Sequence, residues 1–295
     1  MPITSLANLL RDPPPSYAFE LSEAGVAFAR LSEPEHADFT PFESGVLVVS
    51  PLHDNIQQPQ SVLDRIRAVV PPNGHRRRRA ALILPDYCAR IAVLDFDNFP
   101  SDPAEQTALL RFRMKKSVPF DIDSATISYA PQPRKSNTET IEVLAAVIAT
   151  EIVARYEEPF RATGFHPGLV TTSSLAALNL VQSAQISMLV KLSGRILSVL
   201  VVDGGVLKLA RSVEMENGEI DEIEDVLHPT VAYIEDELKS KPQRLWLCGF
   251  GSHTGEFIQR WQAEWDIAVE PLRARFGVPG PNNAGLLGYL ESMAG

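Results

Sequence analysis

The sequence predicts an α/β fold of two similar lobes, with an α+β subdomain at residues 85–165 inserted into the first and a reduced second lobe. Three observations carry that expectation. At 295 residues the chain is about twice the ~150 expected of one domain. A hairpin pattern at 17–31 is echoed by a longer one at 188–213, and helix and strand patterns alternate after each. Residues 85–165 interrupt the first of these runs with three strand patterns and a strongly signalled helix.

Taken in order, residues 1–16 end in Asp12-Pro13-Pro14-Pro15, a stiff polar lead that predicts a flexible tail. Tyr17–Leu21 and Val26–Leu31 flank Ser22-Glu23-Ala24-Gly25 as a hairpin, and Val46–Ser50 reads as a third strand. Ser61–Val70 has apolar residues at helical spacing and stops at Pro71-Pro72-Asn73-Gly74; Ala80–Leu84 is a buried strand. In the insertion, Ile91–Phe96, Ala125–Ala130 and Ile141–Ala149 read as strands. Asp102, Pro103 and Glu105 occupy N-cap, N1 and N3 of a helix whose far end carries Arg111, Arg113, Lys115 and Lys116, and Pro119 ends it. Glu151–Thr163 is a helix closed by Gly164.

The first lobe therefore covers 17–84 and 166–187, and the second covers 188–295. A strand from residue 170 leads to a helix over Ser174–Val181 capped by Ser173. Met188–Leu192, Arg195–Val202 and Val206–Val213 are strands, the last two joined by the Asp203-Gly204-Gly205 turn. Residues 214–238 show helical spacing broken at His228-Pro229, with ten acids and no base over 214–237. That face is a solvated helix surface or, more sharply, a dock for a basic segment. Arg244–Cys248 is a strand running into Gly249-Phe250-Gly251-Ser252; Glu256–Trp265 is a helix, Ile267–Leu272 a strand, and Asn282 caps a terminal helix. Trp246, Trp261 and Trp265 are expected in core and lobe packing.

Composition narrows function by exclusion. Apolar residues at 45% and charged residues at 22% suit a globular chain and exclude global disorder. A net charge of −10 lacks the footprint a phosphate backbone requires, although Arg76, Arg77, Arg78 and Arg79 stand in a row after His75. Cys88 and Cys248 have no CxxC companion and the six histidines no ligand spacing, so neither a disulfide framework nor a metal site is expected, and a reducing cytoplasm fits. The longest apolar runs, Val143–Ala149 and Ile196–Val202, fall short of the ~18 residues of a membrane span. The N-terminus has the wrong order for a signal peptide.

Several short motifs then occur in one order. Leu84-Pro85-Asp86, Phe99-Pro100, Val118-Pro119-Phe120-Asp121, the strand ending at Tyr129, and Val143-Leu144-Ala145-Ala146-Val147 running to Glu151-Ile152-Val153 resemble the inserted subdomain of PilM-type proteins. Ala162-Thr163-Gly164-Phe165-His166-Pro167 and Ser174-Leu175-Ala176-Ala177-Leu178 resemble that family's return into the first lobe. The likeness is continuous over residues 80–182 and patchy elsewhere. The resemblance implies an actin-like (ribonuclease H-like) fold related to FtsA and to the cytoplasmic domain of GspL. It also implies ATP bound in the cleft and the cytoplasmic tail of the membrane protein PilN as partner.

The residues at the implied nucleotide positions are altered. Glu20 and Ser22 stand where the family has the Asp and Gly of its first phosphate turn, Lys191 and Ser193 where it has those of the second, and Gly249 and Gly251 border the third turn around Phe250. Replacing a carboxylate that orders Mg²⁺ waters by Lys191 removes the metal role hydrolysis needs, and Lys191 reads as a solvent-facing lysine on a hairpin. The expected function is a non-catalytic scaffold of a pilus or related secretion platform with a vestigial cleft and no required cofactor. An ATP-binding switch with a remodelled cleft is the second reading and a sugar-kinase-like enzyme the third. Partner binding is expected where an extended PilN-like tail meets the seam between first lobe and insertion, with Leu94, Phe96, Pro119, Phe120 and Tyr129 as candidates. Further expected partners are other pilus-platform components, a second copy of the chain, and the inner-membrane surface, the last through Arg76–Arg79. Nucleic acid is not among them.

Overall fold

The computed structural model describes residues 14–70, 78–133 and 140–294. Most of the expected tail, together with Arg76 and Arg77, lies outside the described residues. Elements are numbered along the chain.

The first sheet has the order β3-β2-β1-β4-β8. Its strands are β1 (Tyr17–Ser22), β2 (Gly25–Arg30), β3 (Ala37–Pro41), β4 (Arg78–Leu84) and β8 (Phe165–Thr172). Alternation along these strands builds two cores at once. Phe19, Leu21, Leu82 and Leu84 face one side, where helices α1 (Pro59–Val69) and α3 (Thr150–Ala162) cover them. There Phe19 meets Phe28, Phe160 and Phe165 at 5.1, 4.9 and 5.2 Å between ring centroids. Helix α3, assigned by sequence to the insertion, buries Ile152, Tyr156 and Phe160 in this first-lobe core. Ala18, Ala27, Ala29, Ala81 and Ile83 face the other side, toward the second lobe. The small side chains of the four alanines, and Gly285 against Ile83, let α4 (Ser173–Ala177) and α7 (Ala284–Ala294) approach closely.

Two local expectations are corrected. The third strand is Ala37–Pro41, whereas Val46–Ser50 contributes only the isolated bridge Leu47↔Ile56. Val46 and Leu47 are buried because the loop is tied by Asn55, which accepts from Ser50 N through Oδ1 at 2.9 Å. Strand β3 is an exposed edge held by backbone pairing to β2, which needs no apolar pattern. The helix after β8 is also shorter than expected: α4 ends at Ala177 and a 3₁₀ turn, Leu178–Leu180, follows.

The insertion is the three-stranded sheet β5-β7-β6, with β5 (Arg90–Phe96), β6 (Ala125–Pro131) and β7 (Ile141–Ala149) covered by α2 (Pro103–Met114). Asp102 Oδ1 caps α2 by accepting from Ala104 N and Glu105 N at 2.9 and 3.0 Å, as its sequence predicts.

The second sheet, β11-β10-β9-β12-β13, contains β9 (Ser187–Ser193), β10 (Ile196–Asp203), β11 (Val206–Glu214), β12 (Arg244–Cys248) and β13 (Ala268–Pro271). Helix α5 (Ile220–Glu237) alone connects β11 to β12, and α6 (Thr254–Trp265) follows β12. Trp261 is buried against Phe257 and stacks on Trp265 at 5.6 Å. Helix α5 runs through the expected break: Asp225 and Pro229 are both exposed, so the carbonyl deprived of an N–H partner faces water. Its acidic face is not wholly solvated. Glu224 is buried and accepts from Trp261 Nε1 at 3.0 Å and Arg260 at 2.7 Å.

Both lobes share one apolar cluster. Ala81 and Ile83 of the first lobe, Leu189, Leu200 and Trp246 of the second, and Leu286, Leu287 and Leu290 of α7 all belong to it. The insertion is clamped to the second lobe as well. Gln132 donates to Leu207 O at 2.7 Å and accepts from Leu207 N at 2.9 Å, and Lys208 Nζ reaches both Glu142 oxygens at 2.5 and 2.6 Å.

Candidate functional site

The strand alternation that fills the interlobe cluster also directs polar groups into it. On β1, Glu20 shares a face with Ala18; on β9, Lys191 shares a face with Leu189; on β10, Ser198 shares a face with Leu200. These side chains converge where β1, β4 and β9 end. Asp86, just past β4, is 4% exposed, Lys191 is 2% and Glu20 is 1%.

Asp86 is the hub. Lys191 Nζ donates to its Oδ2 at 3.1 Å, Ser198 Oγ at 3.0 Å and Ser174 Oγ at 2.6 Å, while Ser174 N donates to Oδ1 at 2.6 Å. Ser198 Oγ is also 2.9 Å from Ser212 Oγ on β11. Glu20 accepts from Ser173 Oγ through Oε1 and from Leu286 N, in the first turn of α7, through Oε2 at 2.6 Å. Each carboxylate therefore accepts from a backbone N–H and a serine hydroxyl, the donors that cradle an anion.

A buried ion pair persists only when hydrogen bonds offset its desolvation, and Asp86 has that set. Burial acts to lower the Lys191 pKa, but Asp86 and then Glu20 outweigh it, so the ammonium is held above its usual range. Burial raises the Glu20 pKa and prevails over Lys191, Ser173 and Leu286 N, which act to lower it. The neighbouring Cys248 thiol is pushed up to about 12 by burial.

A cavity of about 260 Å³ lies between the two hairpin turns. Of the residues expected there, Glu20, Ser22, Lys191 and Ser193 line it; Gly249 and Gly251 do not. Ser22 Oγ is used within its own hairpin, donating to Gly25 O at 3.2 Å. Gly249 has φ of 89° and a Cβ there would lie 1.9 Å from Leu192 O, so the glycine serves close strand packing. Phe250 turns into the second-lobe core, 5.0 Å from Phe257. The solvent-facing reading of Lys191 is overturned: it crosses to the first lobe. Ser173, expected as the cap, and Ser174, expected to open the helix behind it, direct their hydroxyls to Glu20 and Asp86.

This donor set is a poor match for a Mg-triphosphate. The ammonium is committed to Asp86, Glu20 and Asp86 take the backbone donors, and Glu23 adds another carboxylate at the wall. Among the described residues no cluster of three or more His, Cys, Asp or Glu could hold a metal ion.

The expected partner residues do not form one surface. Phe96 is buried in the insertion core, and Leu94, Phe120 and Tyr129 pack against that core. The Tyr129 hydroxyl is engaged, donating to Gln106 Oε1 at 2.7 Å. Pro119 and Phe120 do border a second cavity, about 420 Å³, where the first lobe, the insertion and β11 meet. Arg90 and Arg211 stand at this seam, and Ser174 and Ser212 form its wall toward Asp86. The hub thus borders both cavities, through Asp86 itself in the first and through its partner Ser174 in the second. Arg78, at the head of β4, lies 4.7 Å over the Phe165 ring, so this part of the arginine run is folded onto aromatic surface.

Neither a protein-family model nor a curated protein sequence matches the chain. Solved structures do. The PilM-PilN type IV pilus biogenesis complex matches at TM-score 0.71 and 16% identity, covering 95% of this chain and 98% of that one. A Bacteroides thetaiotaomicron protein described as having an actin-like ATPase fold matches at TM-score 0.52 and 14% identity, over 93% and 94% of the two chains. The fold is actin-like. The cytoplasmic domain of EpsL, an inner-membrane component of the Vibrio cholerae type II secretion system, matches at TM-score 0.53 and 10% identity, over 95% and 94%. Within this actin-like fold the hub lies between the lobes, and no helix among the described residues is long and apolar enough to cross a membrane.

Proposed function

We propose that this chain is a non-catalytic actin-fold scaffold of a type IV pilus or related secretion platform, working on the cytoplasmic face of the inner membrane and holding the cytoplasmic tail of a PilN-like protein. The full-length likeness to the PilM-PilN complex and to the EpsL cytoplasmic domain supports the machine and the partner class. One observation carries the non-catalytic reading: the Lys191 ammonium sits 3.1 Å from Asp86, so the chain's own ion pair fills the region where a metal-bound phosphate would be held.

The tail's seat in this reading is the seam cavity, where Pro119 and Phe120 offer apolar contact and Arg90 and Arg211 offer charge. The test is co-purification of the full chain with the cytoplasmic tail of a bitopic pilus protein, with and without Mg-ATP. Binding without nucleotide, lost on Phe120→Asp in a variant that stays folded at the assay temperature, is the expected result. A tail that binds Phe120→Asp as well as wild type places its seat elsewhere. A tail held only with Mg-ATP present favours the nucleotide-switch reading.

A further inference from the structure

The far end of α2 and the turn behind it concentrate positive charge on an acidic protein. Residues 106–120 contain Arg111, Arg113, Lys115 and Lys116 and no carboxylate, in a chain of net charge −10. Two of these cations serve the insertion itself. Arg111 donates to the carbonyls of Ile122 and Ala125, and Arg113 donates to Asp95 O at 3.3 Å and lies 5.0 Å over the Phe96 ring. Lys115 and Lys116 are exposed and have no ion-pair partner among the described residues.

Phe112 stands beside them, 77% exposed. Lys115, three residues after Phe112 and still helical in conformation as the C-cap, shares its face; Lys116 follows at once in the turn, and exposed Ala108 lies one turn earlier. Acids bound the patch without entering it: Glu105 lies a turn before Ala108, and Asp121 and Asp123 follow the turn. An aromatic ring projecting from a helix end beside two free ammonium groups suits a surface that accepts the ring anywhere and carries diffuse negative charge. An anionic bilayer is such a surface: aromatic rings settle at headgroup depth and lysines gain from the surface potential. A folded acidic protein would need a pocket matched to Phe112.

We propose that this face of the insertion, centred on Phe112, Lys115 and Lys116, is a peripheral docking site for anionic lipid. It does not depend on tail binding or on the interlobe cleft. The test is sedimentation of the full chain with vesicles of phosphatidylcholine, alone or mixed with phosphatidylglycerol. The chain is expected to sediment with the mixed vesicles, to stay in solution with phosphatidylcholine alone, and to be released by salt. Replacing both lysines by alanine lowers the partition coefficient about 30-fold, from the usual contribution of each lysine near an anionic surface. Phe112→Ser lowers it by about tenfold or more, while Lys239→Ala, on the second lobe, leaves it unchanged. Wild-type protein that ignores the mixed vesicles overturns the proposal. So do Phe112→Ser and double-lysine variants that sediment like wild type, or a Lys239→Ala variant that falls as far as they do.

Discussion

Lys191 decides the chemistry of the interlobe region, because a single ammonium there neutralises one of two buried carboxylates. Lys191→Met would leave Asp86 and Glu20 buried without a cation, and breaking a buried pair in this way costs about 3–5 kcal/mol. Lys191→Met combined with Asp86→Asn removes both charges and is expected to recover most of that loss. Urea unfolding of the two singles and the double gives the coupling energy, and additive effects would mean the pair does not interact. Glu20 carries the opposite liability. Burial raises its folded pKa above the ordinary glutamate value of about 4.5, so the stability tied to its proton is present below that value and is lost as pH rises through the folded pKa. Glu20→Gln keeps an acceptor for Leu286 N without the charge. It should melt higher than wild type at neutral pH, and the two should converge below about pH 4.5. A wild type that melts higher at neutral pH contradicts this. In sequence, the identity of Lys191 already argues against Mg²⁺ chemistry, but its partners are hidden. Asp86 and Lys191 are 105 residues apart, and the alternation that sets Lys191 opposite Val190 and Leu192 identifies its face without telling what covers it.

Among the elements, α7 depends most on close approach. Its Gly285 and Gly288 lie against α4, where a Cβ on Gly288 would sit 2.2 Å from Ala176 O and one on Gly285 2.8 Å from Ser173 Cα. Helix propensity alone favours Gly288→Ala by about 1 kcal/mol. The clash with backbone reverses the sign, since forcing atoms into a filled contact costs about 1–3 kcal/mol and here also strains the Leu286 N bond to Glu20. Gly288→Ala should therefore lower the melting temperature, while Ser292→Ala in the last turn of the same helix has little effect; a stabilised Gly288→Ala would show that α7 can shift outward. Elements specified locally were legible: the α2 cap, the Asp203-Gly204-Gly205 hairpin, and the Gly164 stop at φ 83°. Those decided by tertiary pairing were not. Strand β3 is held by its neighbour, and α5 keeps Pro229 because its packed side leaves the broken bond to water.

Across the whole molecule, the lobes are fastened at four places: the Asp86–Lys191 hub, the shared apolar cluster, the Gln132 and Lys208 clamps on β11, and α7 lying on α4. Opening the cleft would strip Lys191 from Asp86 and expose apolar residues from both lobes together, so neither tie can yield alone. The two-lobe plan and its insertion were readable from repeated hairpins and a change of texture, but the degree of closure was not, because it rests on contacts between distant segments. Closure of this kind has a thermodynamic signature. A ligand at about 100 times its Kd stabilises the folded state by about 2.7 kcal/mol, which in a chain of this size raises the melting temperature by several degrees. Millimolar Mg-ATP is expected to move it by less than about 1 °C and to leave the radius of gyration in solution unchanged. A rise of several degrees would require Lys191 to leave Asp86 and admit phosphate, and the scaffold reading would then give way to a nucleotide switch.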